Sequence, residues 1–321
     1  MQQRPSDKGW AREAKGVRRQ APAYRPDPAQ LNGLPPQAEV KNWKWPGYVP
    51  SNLEGCTASA IAAAVELLQD APPEKRFRPS TGFIYFVARY LRMDEMHDTG
   101  ASIHDGLRGA QIFGFCSESD WPIDKIDATT RPPGPVQQQA ERYGIEEFRH
   151  LQRRPDQPDE IVQLCKSAIN SGHAVLFGAV VDDAFLDGFQ DSMDIPLPPP
   201  DAQLHHHHCL LAVKYDDADG GYFWVRDSLG PHRGDEGYLR MPYRYLTAQT
   251  KEHGFLTSDF WIVNRASTSG APSAALVNER NRYWERAKSL SNDLHEAYLK
   301  FRQVPASSVA APRSQFPPNL S

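Results

Sequence analysis

Cys56 is followed at once by a helix-forming run in a chain of 321 residues. The segment CTASAIAAAVELL is rich in Ala, Leu and Glu, which favour helix. Ile61, Val65 and Leu68 recur at helical spacing, with Ala60 and Ala64 as small neighbours, so the pattern predicts a buried helix opening at the cysteine. Ser51 or Asn52 is placed to help cap its start. A thiol in the first turn of a helix meets free backbone N–H groups and the positive end of the helix dipole, and both favour thiolate. A thiolate becomes a controlled nucleophile when a base or ion-pair partner stands beside it. The histidines available for that role are His104, His173, His205 to His208 and His232. Taken alone, Cys56 is more readily read as a small buried hydrophobe.

The elements that must position these groups fall into two halves. Further helices are expected at Ser80–Leu91, Ile103–Phe113 and near Asp159–Asn170. Residues 173–263 then change character. HAVLFGAVV, CLLAVKYDD, GYFWVRDS, GYLRMP and FWIV are short β-rich runs broken by Gly, Asp and Pro, as strands are. A helical half followed by a strand-rich half is an α+β pattern. Residues 1–36 read as an arm in which basic residues alternate with Pro-containing stretches and no apolar period is sustained. Beyond about residue 266 lies an extension with one charged amphipathic helix at about 277–303 and a disordered tail.

Read together, four motifs resemble the papain-like (C1 family) cysteine peptidases in their bacterial and archaeal form. SNLEGCTASAIAAAVE resembles the segment around that family's nucleophile. PSTGFIYFVARYL…DTGASIHDGLRGAQIFGFCSESDWPID resembles its two following helices and Trp-Pro turn. HCLLAVKYDD resembles the strand that opens with its catalytic histidine, and YFWVRDSLGPHRGDEGYLRMPYRYL resembles the stretch holding its third catalytic residue. The motifs keep the family's order over about residues 38–264. The resemblance implies a two-lobed fold: a helical lobe, then an antiparallel β-barrel-like lobe, with the active-site cleft between them. The arm would span 1–36 as a short pro-like segment, the catalytic domain 37–266 and the extension 267–321.

Carried over residue by residue, the resemblance makes Cys56 the nucleophile and His208 the general base and later general acid. Asp227 stands where the family has Asn and would orient the imidazole. The separations are 152 residues from Cys56 to His208 and 19 from His208 to Asp227, against roughly 130–150 from nucleophile to its partners in this family. Thr99 and Gly100 fall where the family has an edge that hydrogen-bonds an extended substrate, and the Pro-rich Asp182–Leu204 segment matches a loop bordering the cleft. The chain also departs from the pattern. Pro50 occupies the position of the oxyanion-hole Gln, and proline has no side-chain donor, which leaves Asn52 as the candidate. Leu229 replaces the Trp that shields the His–Asn bond. The implied activity is hydrolysis of peptide bonds through a thioester. Two alternatives stay open: an impaired papain-like domain used for binding, or an amidase or transglutaminase-like acyl-transfer enzyme.

Composition narrows the partners. Lys and Arg number 36 against 40 Asp and Glu, a net charge of −4. That balance argues against nucleic acid; the resemblance implies a peptide or protein substrate, and the C-terminal helix is open to a partner. The longest apolar runs, Ile61–Leu68 and Ala174–Val181, are far short of the roughly 20 residues of a membrane span. The charged N-terminus lacks a signal-peptide core, so a cytoplasmic location, or secretion by a signal-independent route, is expected. Four cysteines without a CxxC pair suit free thiols rather than a disulfide scaffold. The run His205 to His208 invites a metal, but consecutive strand residues face opposite ways. No metal and no cofactor are therefore expected.

Overall fold

The computed structural model describes residues 9–13, 21–44, 52–154, 156–187, 192–199, 202–267, 276–283 and 285–286. Residues 1–273 form one compact unit and residues 274–321 another. In chain order the first unit contains α1 (Pro28–Asn32), β1 (Gln37–Glu39), α2 (Cys56–Leu67), α3 (Thr81–Leu91), α4 (Ile103–Ile112), α5 (Gly134–Ala140), β2 (Gly144–Leu151), α6 (Glu160–Asn170), β3 (Val175–Val181), α7 (Asp183–Asp187), β4 (His206–Asp216), β5 (Tyr222–Arg226), β6 (Tyr238–Pro242), α8 (Tyr243–Thr247), β7 (Gln249–Thr250), β8 (Gly254–Phe255) and β9 (Thr257–Ser267). In the second unit residues 276–283 and 285–286 are helical. The remainder of the helix expected to about 303, and the tail, lie outside the described residues.

The helical half forms as its apolar spacing dictates. Ser80 and Ser102 start α3 and α4 by accepting the backbone N–H of Phe83 and Asp105, the local bond that makes serine a good helix start. The start of α2 differs from expectation. Gly55 is its N-cap, with no side-chain cap bond, so Asn52 does not cap it, and Ser51 lies outside the described residues. Eleven of the twelve residues of α2 are buried, and the helix packs on α3, α4 and β4. Burying side chains such as Ile61 and Val65 stabilises by about 1.5–3 kcal/mol each.

The strands build one seven-stranded antiparallel sheet in the order β2–β9–β3–β4–β5–β6, with β1 on β4. The long β4 pairs with β3 through residues 206–212 and, farther along the same edge, with β1 through 214–216. Its other edge takes β5. Every residue of β3 is buried, because both α2 and α6 pack on β3 and β4. A barrel-like lobe was expected, but the described sheet is open: β2 and β6 stand at its two ends and do not pair. Register shifts between β2 and β9, β3 and β9, and β4 and β5 bend the sheet, as bulges do, without the end-to-end pairing that closes a barrel.

The arm also departs from expectation. It contributes Trp10, fully buried, and Glu13, 8% exposed, to the first unit, and its later part reaches α6 through the Tyr24 hydroxyl, 3.1 Å from Ser167 Oγ.

Candidate active site

The central contact is a hydrogen bond between the sheet and the loop after β5. His208, near the start of β4, and Asp227, just after β5, meet with His208 Nε2 2.8 Å from Asp227 Oδ1. With Nε2 so engaged, the other ring nitrogen remains for a thiol. Cys56 is close enough to the imidazole for its side chain to favour the protonated ring. Cys56 is the first residue of α2, so the uncapped N-terminus of that helix opens beside its sulfur. His208 and Asp227 are 4% and 3% exposed. Burial disfavours the charged ring, yet the hydrogen bonds and charges of Asp227 and Cys56 outweigh it and raise the His208 pKa to about 10. Burial likewise works against the Asp227 carboxylate, but His208 and Arg233 hold its pKa below the usual range. The three sequence-assigned residues Cys56, His208 and Asp227 therefore come together.

Two members of the site were not foreseen. Arg233 Nε stands 3.0 Å from Asp227 Oδ2, with both side chains buried. Its guanidinium also donates to the carbonyls of Leu186 (2.7 Å) and Phe185 and lies over the Phe185 ring. That ring in turn covers His208, with centroids 5.6 Å apart. Phe185, 1% exposed, thus shields the imidazole from water where Leu229 supplies no aromatic ring. The Leu229 N–H donates to Asp227 Oδ1 at 3.2 Å. A buried Asp in place of Asn brings an extra negative charge, and Arg233 is the charge that balances it.

The cleft edge is braced against the segment that carries Cys56. Asp98 accepts from the Tyr85 hydroxyl at 2.5 Å and from the Glu54 N–H at 3.1 Å. The Gly100 N–H donates to that same hydroxyl, and Thr57 donates to the Ala101 carbonyl. The exposed Thr99 turns its hydroxyl to Asp94, so the edge is made by Gly100 and Ala101. The arm occupies this edge. Ala101 N–H donates to the Gly9 carbonyl (2.9 Å), Ala11 N–H to the Ala101 carbonyl (3.0 Å), and Trp10 N–H to the His207 carbonyl (3.2 Å). Both pairings are parallel. A Cβ on Gly9 would stand 3.4 Å from Cys56 Sγ, and one on Gly100 would collide with the Gly9 carbonyl oxygen at 2.0 Å. Glycine is required where two backbones approach this closely. Glu13 bolts the arm beyond the edge: its N–H donates to Asp259, and its carboxylate accepts from Trp261 Nε1 (2.8 Å) and the His104 N–H (3.1 Å).

Asn52 is exposed, four residues before Cys56. Pro50 and Ser51 lie outside the described residues, as do parts of the Asp182–Leu204 loop. The histidine run divides. His208 enters the site, whereas His205 and His206 bring their Nε2 atoms to 3.2 and 2.6 Å from Asp183 Oδ1. Adjacent histidines do converge there, because His205 precedes the regular strand. Among the described residues, Asp183, His205 and His206 are the group spaced to hold a cation. All four cysteines are free and buried. Burial raises the pKa of Cys116 to about 12 and pushes Cys165 and Cys209 up as well, which keeps these three as unreactive thiols.

No family model matches the chain. An uncharacterized peptidase C1-like protein of Acanthamoeba polyphaga mimivirus is 29% identical over 220 residues, 67% of this chain and 68% of that protein. The crystal structure of xylellain, a cysteine protease from Xylella fastidiosa, superposes with a TM-score of 0.69 at 26% identity, covering 82% of this chain and 98% of that one. Procathepsin B from Trypanosoma congolense shares the fold at 12% identity, with a TM-score of 0.58 over 83% of this chain and 87% of its own. No helix among the described residues is long and apolar enough to cross a membrane. Motif order, architecture and these likenesses agree: the chain has the fold of the papain-like cysteine proteases and is similar to C1-type peptidases.

Proposed function

We propose that the chain hydrolyses peptide bonds with Cys56 as nucleophile, His208 as proton carrier and Asp227, backed by Arg233, as the group that orients and charges the imidazole. The observation that carries this reading is the placement of His208 between a thiol at a helix start and a buried carboxylate. Cys56 Sγ attacks the scissile carbonyl carbon. The carbonyl electron pair moves to oxygen and returns as the C–N bond breaks, leaving a thioester. His208 delivers its proton to the departing amine. Water then attacks the thioester, gives its proton to His208, and the thiolate leaves. The backbone N–H of Cys56, at the uncapped start of α2, is one donor for the intermediate's oxygen, and Asn52 is the candidate for the second.

The arm holds the precursor shut in this reading. It covers Cys56, and its own Gly9 carbonyl is tied to the Ala101 N–H, away from attack. Activity then requires that residues 9–13 leave the cleft. The test is labelling of the full chain by iodoacetamide and by a peptidyl epoxide, with mass mapping of the adduct. Cys56 is expected to be the labelled residue. Cys56→Ala is expected to remove both labelling and peptide turnover while the melting temperature is retained. Turnover by Cys56→Ala equal to that of the parent would remove Cys56 from the mechanism.

A further inference from the structure

A second group of side chains converges where α7 meets the start of β4. Asp183 opens α7, and His205 and His206 lead into β4. The Nε2 atoms of His205 and His206 lie 3.2 and 2.6 Å from the same oxygen, Asp183 Oδ1. The donor atom that each of the three residues offers stands within 4.8 Å of the other two. Successive strand residues point to opposite faces, yet these two rings sit with centroids 4.2 Å apart, because His205 precedes the strand. The neighbouring Asp182 is spent on the start of α7, where it accepts the Phe185 N–H at 2.9 Å. Asp183 is thereby left to face the histidines. Asp183 and His205 are exposed and His206 is half-buried, so solvent reaches one side of the group.

This donor set selects a class of ion. Imidazole nitrogen suits zinc and its transition-metal neighbours, whereas magnesium and calcium take oxygen. Zinc binds imidazole and carboxylate at about 2.0–2.2 Å with tetrahedral angles, which sets the donor atoms about 3.3 Å apart. His205 and Asp183 already stand at that spacing, and His206 needs to draw back by about 0.7 Å. Water on the open side supplies the fourth ligand. The position also gives such an ion a task. Asp183 and His206 are 23 residues apart in sequence, and a clip that closes a long loop gains from the entropy the loop has already lost. The same short helix carries Phe185, whose ring covers His208, and the Phe185 and Leu186 carbonyls that receive Arg233. We propose that Asp183, His205 and His206 form a zinc site that fastens α7 to the start of β4 and so holds the cover over His208 in place. The site does not include Cys56 and stands independently of the peptidase reading.

The test uses the full-length, untagged Cys56→Ala chain, in which Cys56 cannot compete for the ion. Calorimetric titration is expected to show a single zinc ion per chain, and zinc, unlike magnesium, is expected to raise the melting temperature. His205→Ala/His206→Ala and Asp183→Asn should each weaken zinc binding at least about tenfold and remove the thermal shift. His97→Ala takes away a histidine that meets Asp94 alone and should bind zinc as the parent does. If the double variant does not fold, His205→Ala, which lies outside the strand, gives the same answer. Cobalt in place of zinc should show the visible bands of a four-coordinate site without a thiolate charge-transfer band. Zinc should also slow amide hydrogen exchange in residues 183–187. Zinc affinity equal in the parent and the Asp183, His205 and His206 variants, or no zinc binding at all, overturns the site. A thiolate band assigns the ion to a cysteine and overturns it too. A thermal shift of the same size with magnesium overturns the choice of ion. Zinc bound at these residues with exchange in 183–187 unchanged overturns the fastening of α7.

Discussion

Arg233 offers the sharpest perturbation of the site. Its Nε lies 3.0 Å from a carboxylate oxygen of Asp227 whose other oxygen is 2.8 Å from His208, and the three side chains are at most 6% exposed. Arg233→Gln removes the positive charge and leaves Asp227 with one cationic neighbour in a site closed to water. Breaking a buried pair from one side costs about 3–5 kcal/mol, which in a folded unit of this size lowers the melting temperature by roughly 6–20 °C. The bonds from Arg233 to Phe185 and Leu186 are lost too, so the cover over His208 loosens and turnover is expected to fall with stability. The charge argument is isolated by Asp227→Asn/Arg233→Gln, in which neither charge remains. Thermal and urea unfolding of the parent, both single variants and the double variant form a cycle, and partners in contact show non-additivity of about 0.5–3 kcal/mol. The double variant is expected to be more stable than Arg233→Gln alone. Additivity of the two single effects would show that Arg233 acts through its backbone bonds and not through Asp227, and the account of the Asn-to-Asp departure would fall.

The His208 pKa, raised above the ordinary 6.5 or so to about 10, sets a second expectation. A group raised on folding contributes its full stabilisation below the unfolded value and loses it as pH rises through the folded one. Part of the thermal stability should therefore decline as pH approaches about 10; a decline complete by pH 7 would contradict this. At the arm, Gly9 adopts φ +94°, and a Cβ there would stand 2.4 Å from the His207 carbonyl oxygen. Gly9→Val should consequently expel the segment and speed iodoacetamide labelling of Cys56 in the full chain at least about tenfold by population shift, whereas an unchanged rate would mean that the arm does not gate the thiol.

Much of the site was legible because it depends on local pattern. A helix beginning at Cys56 follows from periodicity, and His208 and Asp227 follow from motif order along the chain. The missed members are those whose role exists only in three dimensions. Arg233 sits in a Gly-rich turn and Phe185 in a short helix between strands, and neither has a spacing that points to His208. Their relevance appears only when α7 folds over the imidazole. Whether the sheet closes was not legible, because strand runs show which segments pair but not whether the first and last meet. The arm was read as unpacked because burial of Trp10 needs no periodicity of its own. Its partners are Gly178 and His207, 168 and 197 residues away.

That separation has a consequence for how the chain is made. Arg12 bonds the carbonyls of His253 and Phe255, and Glu13 bonds Asp259 and Trp261, so residues that leave the ribosome first are held by some of the last strands to be completed. Contacts this distant in sequence form slowly, since a long loop must close before they stabilise anything. The helices α2 to α4 and much of the sheet can assemble while the beginning of the chain still waits for its berth. The order of synthesis thus sets an interval, ending only after β9 emerges, in which Cys56, His208 and Asp227 can meet before the arm has docked beside them.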